Sequence, residues 1–470
     1  MNIYAPLGTL YAASYLKSKG HDVALFDTML AKSEGDLKQH LEKYKPEIFV
    51  VYDDVFNYLT KMCLTRMREA AFNMSRIAKE FGCKIIISGS DAVDHLENYF
   101  KHNADYVVCG EGEITLGELI DSFSPQRQQD IKKNIPGLAY IENGEIKRTP
   151  KRPVLKDIDS LPFPAWELVD IDEYRRIWKK HHGYFSMNLV TTRGCPFHCN
   201  WCAKPIYGQV YNSHSPEYVA GMMKHLKENY SPDHLWFCDD IFGLKPKWTT
   251  KFDEVVNREN VKTPFKCLSR ADLLLIEDNI SHLAGAGCES IWIGAESGSQ
   301  KILDSMEKGT TIGQIYEATR LLKRHNIRTC FFLQFGYTGE TKKEIDMTMK
   351  MVRDLMPDDI GISVSYPLPG TRFYDRVVTQ MHEKKNWVDS GDLEMMFDGE
   401  YTTAFYRVLH KRVHKEFRAR QVLKQPLKRW KQLWKLPYYI TGWIWFEIML
   451  RRLEKTERRN KALDLQIQSV

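Results

Sequence analysis

The sequence predicts an α/β fold in three parts: a doubly wound parallel-sheet domain, a partial (β/α)6 TIM-like barrel, and a basic α-helical tail. Three observations carry this. Short apolar runs alternate with helical patterns over residues 1–122, the rhythm of buried parallel strands with crossover helices. After a break the rhythm resumes at 187 and runs to about 380 through six strand–helix units, which curl most naturally into a barrel. Charge then changes sign: residues 407–470 hold seventeen Lys or Arg against five acids, a balance of +12, whereas the whole chain carries +6, leaving −6 for residues 1–406.

The bulk numbers fit a globular protein. The 470 residues allow roughly two to four domains, and 43% hydrophobic with 27% charged is ordinary for a packed core. No basic region followed by a long apolar stretch opens the chain, so no secretory signal is expected. Of ten cysteines seven are scattered singly, which excludes a disulfide framework and favours a reducing cytoplasm.

Within residues 1–122, Leu7 to Lys19 reads as a helix with Gly20 as C-cap. Strands are expected at Val23–Phe26, Ile48–Tyr52, Lys84–Ser88 and Tyr106–Cys109, with a long helix from about Thr60 to Phe81. Ligands of such sheets lie at the carboxyl ends of the strands. Tyr52-Asp53, Ser88-Gly89-Ser90 and Gly110-Glu111-Gly112 occupy that edge, although tight turns alone would also explain the glycines. Residues 123–186 are rich in Pro and Gly and read as a linker. It contains a small hairpin, Leu138–Ile141 and Glu145–Arg148 around Asn143-Gly144.

Barrel strands are expected at Met187–Val190, His234–Phe237, Phe265–Leu268, Ser290–Ile293, Arg328–Phe335 and Gly361–Val364. Helices fall between them at Pro216–Asn229, Leu273–Ala286, Ile312–His325 and Lys342–Arg353. The loops after the strands are polar or glycine-rich. They hold Asp239-Asp240, Arg270, Glu296-Ser297, Gly336 to Glu340, and Tyr366 to Gly370. Each has a structural alternative, such as a turn, a surface pair or a helix cap. Five at one barrel end, with the loop after the first strand as a sixth, point to a ligand rim.

The loop after the first barrel strand carries Cys195, Cys199 and Cys202 at Cys-x3-Cys-x2-Cys spacing. Two readings compete. One is structural zinc with His198 or a distant cysteine as fourth ligand. The other is a [4Fe–4S] cluster with three cysteine ligands and one open iron. None of the other cysteines forms a second ligand pair, and His198 sits where tetrahedral closure is strained, so the cluster reading leads.

Residues 381–406 look irregular and could cover the barrel mouth. In the tail, Arg407 to Lys435 holds eleven Lys or Arg against the single acid Glu416, interleaved with Phe417, Leu423, Leu427, Trp430 and Trp434. Leu436–Leu450 is mostly apolar and aromatic. It is shorter than the ~20 apolar residues a bilayer span needs. Such a segment suits the plane of a membrane surface, or alternatively packs on the barrel with a solvated basic face.

The cysteine triad with Trp201 before its last member resembles the signature of the radical S-adenosylmethionine superfamily. Phe237-Cys238-Asp239-Asp240, Ser269-Arg270-Ala271-Asp272, Ile293-Gly294-Ala295-Glu296-Ser297-Gly298 and Phe335 to Thr341 narrow it. So do Pro6-Leu7-Gly8-Thr9-Leu10-Tyr11 and Gly110-Glu111-Gly112-Glu113. With the domain in front, these are similar to the cobalamin-binding branch, which includes anaerobic magnesium-protoporphyrin monomethyl ester cyclases and many methyltransferases. The resemblance covers roughly residues 5–380. It implies that Cys195, Cys199 and Cys202 bind the cluster, and that Arg270, Glu296 and Ser297 contact the ribose or methionine part of S-adenosylmethionine. It further implies that Gly336, Gly339 and Glu340 border the adenine, and that Asp239 and Asp240 stand near the methionine amino group or the substrate. Cobalamin would lie against Tyr52, Asp53, Ser88, Gly89, Glu111 and Gly112.

The departures are specific. An Asp-x-His-x-x-Gly cobalt-ligating motif is absent, and Ser88-Gly89-Ser90 replaces a common Gly-Gly pair. The branch's opening strand should precede Pro6, where only Met1–Tyr4 stands. Either the true start lies upstream, or the domain has lost cobalamin and serves as scaffold.

The resulting expectation is a cytoplasmic enzyme, either free or peripheral on the inner membrane face. It would methylate or rearrange an unactivated carbon of an amphiphilic substrate, lipid-linked or tetrapyrrole-like, with a reduced flavodoxin- or ferredoxin-type electron donor and no side chain acting as catalyst beyond the cluster ligands. An RNA methylthiotransferase would bring additional cluster cysteines in the N-terminal domain, where Cys63, Cys83 and Cys109 are singly spaced, so nucleic acid is not the expected partner. A non-catalytic cobalamin-binding module has no need of the three-cysteine site.

Overall fold

The computed structural model describes residues 3–57, 62, 64–124, 131–276, 278–427 and 429–468. The chain forms two compact units: residues 1–197 with 203–269 and 281–289, and residues 198–202 with 270–280 and 290–470.

In the first unit, strands β1 (Ile48–Tyr52), β2 (Lys84–Ser88) and β3 (Tyr106–Val108) form a parallel ladder, Ile48 opposite Lys84 and Ile86 opposite Tyr106. The hairpin expected in the linker, β4 (Leu138–Glu142) and β5 (Glu145–Arg148), continues this sheet instead. β4 pairs antiparallel with β3, Val107 opposite Ala139, and the order is β1-β2-β3-β4-β5. β2 is the most apolar stretch, with Ile85, Ile86 and Ile87 all buried. Because strand side chains alternate, Ile85 and Ile87 enter one core and Ile86 the other.

Three local expectations change. Val23–Phe26 is extended but joins no ladder. Val23 packs in one core and Phe26 in the other, so its apolar pattern reports burial rather than strand pairing. The helix expected from about Thr60 runs Leu64–Glu80; Thr60 and Cys63 lie outside the described residues. The expected strand to Cys109 ends at Val108, and the Cys109 N–H instead meets the Gly137 carbonyl at 2.7 Å.

The barrel strands are β6 (Ser186–Leu189), β9 (His234–Phe237), β10 (Phe265–Ser269), β11 (Cys288–Glu296), β12 (Arg328–Phe335) and β13 (Asp359–Val364), in the order β13-β12-β11-β10-β9-β6. Between β6 and β9 lies a short antiparallel pair, β7 (Thr192–Arg193) with β8 (Asn212–Ser213). Neighbours follow sequence order, the arrangement of successive β/α units in a partial barrel.

The barrel helices begin where the sequence supplies caps. Ser215 accepts from the Tyr218 N–H with Pro216 in the first turn, and Thr311/Gln314 and Thr341/Glu344 form reciprocal capping boxes. The single helix expected over Leu273–Ala286 is two, Ala271–Leu274 and Asn279–Ala286. Asn279 accounts for the break, because its side-chain amide takes the Leu273 carbonyl at 2.8 Å, a capping role that Asn prefers to a helix interior.

Residues 381–402 hold neither helix nor strand. The tail is a helix over Thr403–Lys424, a 3₁₀ turn over Trp430–Lys435 and a long helix over Leu436–Gln468. No helix among the described residues is long and apolar enough to cross a membrane.

Candidate active site

The approach to the cysteine loop is built in the first unit. The Thr191 N–H and hydroxyl and the Thr192 hydroxyl all donate to Asp239 Oδ1, at 2.8, 3.0 and 2.7 Å. Asp239 Oδ2 is buried without a partner. Burial is the main reason its carboxyl is pushed up to about 7, against the pull of those donors. Gly194 has φ +81°, and a Cβ there would lie 2.3 Å from the Val210 carbonyl oxygen, so this turn requires glycine. It delivers the buried Cys195.

Arg193, one residue earlier, is fully enclosed. Its guanidinium donates to Glu111 at 2.5 Å and Glu113 at 2.7 Å and stacks near Tyr11 and Tyr207 at 5.3 and 5.4 Å. Desolvation works against its charge, yet the two glutamates hold its pKa above the ordinary value.

His198–Cys202 belongs to the second unit, where Asn200 anchors it. The Asn200 N–H donates to Met306 at 3.0 Å and its carbonyl accepts from the Phe373 N–H at 2.9 Å. Its side chain donates to the Ser305 carbonyl at 2.8 Å and accepts from the Tyr337 hydroxyl at 2.8 Å. The Cys202 N–H closes on the Cys199 carbonyl at 3.2 Å.

Arg270 brings a guanidinium nitrogen 3.9 Å from Cys199 Sγ and is oriented by two bonds to Asp272, at 3.0 and 2.9 Å. Next to it lies a buried ion pair, Lys308 Nζ to Glu296 Oε1 at 2.8 Å. The Lys308 ammonium also stands 6.0 Å from the Trp201 ring. Burial opposes its charge, but Glu296 and Cys199 outweigh it and raise the lysine pKa. Glu296 sits at φ +56° on a β-bulge at the end of β11. Gly294 makes room for the pair, because a Cβ there would lie 2.7 Å from both charged atoms.

The other expected rim residues serve the loops themselves. The Ser297 hydroxyl meets Thr348 at 3.2 Å and accepts from the Ser299 N–H at 3.1 Å. The Gly336 N–H donates to Glu340 Oε2 at 2.6 Å, and burial first, then Glu344, pushes Glu340 up to about 8. The Gly339 carbonyl accepts from Lys301 at 2.9 Å. Asp240 is exposed and borders a cavity of about 20 Å³ with Phe56, Gly194 and Tyr207.

At the sheet edge of the first unit, Tyr52, Ser88 and Gly112 come together: a Cβ on Gly112 would lie 2.7 Å from the Tyr52 hydroxyl and 3.0 Å from Ser88 Oγ. A Cβ on Gly89 would strike Asp53 at 2.1 Å. Burial, then Asp91 and Asp54, pushes Asp53 up to about 7. Glu111 is spent on Arg193 and on the Leu155 N–H at 2.5 Å.

The chemistry of these donor sets can be tested against the implied groups. Among the described residues no three His, Cys, Asp or Glu side chains stand gathered around one point, which bears on the zinc and the cluster readings alike. A thiol beside Arg270, with a carboxylate and an ammonium alongside, suits a cluster neighboured by a zwitterionic, hydroxyl-bearing ligand. The sheet edge offers hydroxyls and bare backbone, which suit an amide- and phosphate-bearing group. Its glycine space is filled by Tyr52 and Asp53, so a corrin-sized group requires those side chains to turn.

Sequence patterning does not single out Arg193, Asn200, Lys308 or Tyr207. Asn200 lies inside the cysteine motif and Arg193 two residues before it, and that position is the one signal that points to them.

Residues 189–352 match the family model described as the radical SAM superfamily. An uncharacterized methyltransferase of Pyrococcus horikoshii is 28% identical, over 79% of this chain and 78% of that protein. The anaerobic magnesium-protoporphyrin IX monomethyl ester cyclase of Rubrivivax gelatinosus is 26% identical, over 82% of this chain and 69% of that protein. Among solved structures, the radical S-adenosylmethionine methyltransferase TsrM of Kitasatospora setae, with cobalamin and a [4Fe–4S] cluster bound, superposes with a TM-score of 0.66. The identity is 19%, over 80% of this chain and 72% of that one. The cobalamin-dependent radical enzyme OxsB gives 0.61 at 21% identity, over 74% of this chain and 49% of that one.

Proposed function

We propose, from the premise that this chain is a radical S-adenosylmethionine enzyme, that it uses cobalamin to methylate or rearrange an unactivated carbon of an amphiphilic, lipid-linked or tetrapyrrole-like substrate. The observation that carries the reading is the cysteine loop with Arg270 3.9 Å from Cys199 and the buried Lys308–Glu296 pair next to it. A cluster bound by Cys195, Cys199 and Cys202 with S-adenosylmethionine would supply a 5′-deoxyadenosyl radical, and cobalamin would supply a methyl carrier.

The chain's own residues hold and shield. Asn200 fixes the loop that bears Cys199 and Cys202, and Arg270 places positive charge against the thiolate. Glu296, paired with Lys308, would accept from ribose hydroxyls, and Asp239 through its unpartnered Oδ2 would accept from an ammonium or hydroxyl. Tyr52, Asp53, Ser88, Gly89 and Gly112 would hold cobalamin. Glu111, bonded to Arg193 at 2.5 Å, would brace the cysteine loop from the same edge that holds that ligand. A flavodoxin- or ferredoxin-type protein would deliver electrons, and the basic tail would bring the enzyme to an anionic membrane surface.

The test is anaerobic purification with iron and cobalt counts, followed by assay of 5′-deoxyadenosine. The expected result is iron near four and cobalt near one per chain by the cluster and corrin stoichiometries, with Cys199→Ala abolishing 5′-deoxyadenosine. Undiminished turnover by Cys199→Ala would overturn the reading.

A further inference from the structure

The second tail helix, Leu436–Gln468, is amphipathic in the reverse of the usual sense. Its polar contacts face the protein. Glu447 accepts from Arg412 of the first tail helix at 3.0 Å, Trp443 lies against the Arg420 guanidinium at 5.2 Å, and Leu450 is buried. Its outward face is mostly apolar. Tyr438, Trp445 and Ile448, with Thr441 between them, recur at helical spacing and Ile444 lies beside them; Trp445 is 61% exposed, and the exposed Tyr438 ring also meets Lys415 of the first tail helix at 3.2 Å.

The turn before it extends the same character. Trp430 and Trp434 are 64% and 75% exposed, and Lys431 and Lys435 lie 5.6 and 5.0 Å from those rings. Arg451 and Arg452 close the far end. Between Trp430 and Arg452 the single acid is Glu447, bonded to Arg412 at 3.0 Å and to Arg451 at 2.9 Å. An exposed surface of indoles and aliphatics rimmed chiefly by cations is unfavourable in water.

We propose that this face docks in the headgroup layer of an anionic lipid bilayer. Indoles beside cations are suited to that layer, and the one-signed rim complements an anionic leaflet. From Tyr438 to Ile448 the helix rises about 15 Å, half of a hydrocarbon core of ~30 Å, so it lies in the plane of the surface. This deepens the membrane partner proposed above, and its test uses no radical chemistry.

The full chain is sedimented with phosphatidylcholine vesicles, with or without phosphatidylglycerol, at low and high salt. Binding is expected to need the anionic lipid and to weaken with salt. The double variant Trp434→Ala/Trp445→Ala, whose rings are solvent-exposed, should keep the wild-type circular dichroism and lower partitioning by about ten-fold or more. Lys431→Glu/Lys435→Glu should abolish the preference for phosphatidylglycerol. Absence of wild-type binding, or equal binding by the tryptophan variant, overturns the proposal. So does a wild-type dimer in light scattering that the tryptophan variant dissolves, because the face then meets a second copy. 5′-Deoxyadenosine formation without lipid should be unchanged in the tryptophan variant, so loss of docking and failure of the radical reading are read separately.

Discussion

Arg193→Met would strand two carboxylates in the interior of the first unit. In the wild type the guanidinium is 1% exposed and Glu111 and Glu113 are 7% and 3% exposed, bonded at 2.5 and 2.7 Å. Methionine keeps much of the volume but no charge. A stranded carboxylate escapes by taking a proton, and at pH 7 that costs an ordinary glutamate about 3.7 kcal/mol. Two such groups set a ceiling of about 7 kcal/mol, and breaking a buried pair typically costs about 3–5 kcal/mol.

At pH 5 the protonation cost falls to about 1 kcal/mol per group. The destabilisation by Arg193→Met should therefore shrink from about 3–5 kcal/mol at pH 7 to about 1–2 kcal/mol at pH 5. Urea denaturation at the two pH values measures it. The triple variant Arg193→Met/Glu111→Gln/Glu113→Gln should recover much of the loss, because no charge remains buried. A cost below about 1 kcal/mol at pH 7, or one independent of pH, would refute the reasoning, because the cluster would then be solvated in practice.

Two further outcomes follow from the second unit. Gly298→Ala places a Cβ 2.5 Å from the Met347 carbonyl oxygen and 2.6 Å from Thr348 Cα. Both are backbone atoms that cannot give way, so a loss of about 2–4 kcal/mol is expected, with weakened S-adenosylmethionine binding in equilibrium dialysis as Glu296 is displaced. A change within about 0.5 kcal/mol would disprove the close approach. Glu340 is raised from 4.5 to about 8 chiefly by burial. Between those values the folded state keeps a proton that the unfolded state has released, so its contribution to stability is present at low pH and is lost as pH rises to 8. Glu340→Gln, neutral throughout and still able to accept from the Gly336 N–H, should match wild type near pH 4. It should exceed wild type near pH 9 by up to about 5 kcal/mol. Parallel stability curves for the two proteins would sink this account.

Much of the fold was legible because it is local. The apolar runs Ile48–Tyr52, Lys84–Ser88, His234–Phe237 and Arg328–Phe335 are strands with the expected bounds, since a run of β-formers between turn residues has few other stable conformations. The same logic failed at Val23–Phe26, where burial without a ladder produces an identical pattern, and at Leu273–Ala286, where Asn279 offers a cap that periodicity cannot detect. The hairpin was legible from Asn143-Gly144, but its place in the sheet was not, because pairing with β3 is a long-range choice.

The site divides in the same way. Cysteine spacing is a property of a few consecutive residues, so the sequence by itself determined the three thiols, the barrel that presents them and the sign of charge along the tail. Only the tertiary structure decided that Arg193 answers to glutamates 82 and 80 residues away. It also decided that Lys308 neutralises Glu296, that Glu340 folds back on Gly336, and that Trp430, Trp434 and Trp445 face outward while the Arg412–Glu447 pair faces the first tail helix. Partners such as these depend on which buried charges packing brings together, and on where desolvation forces each to find its counterion.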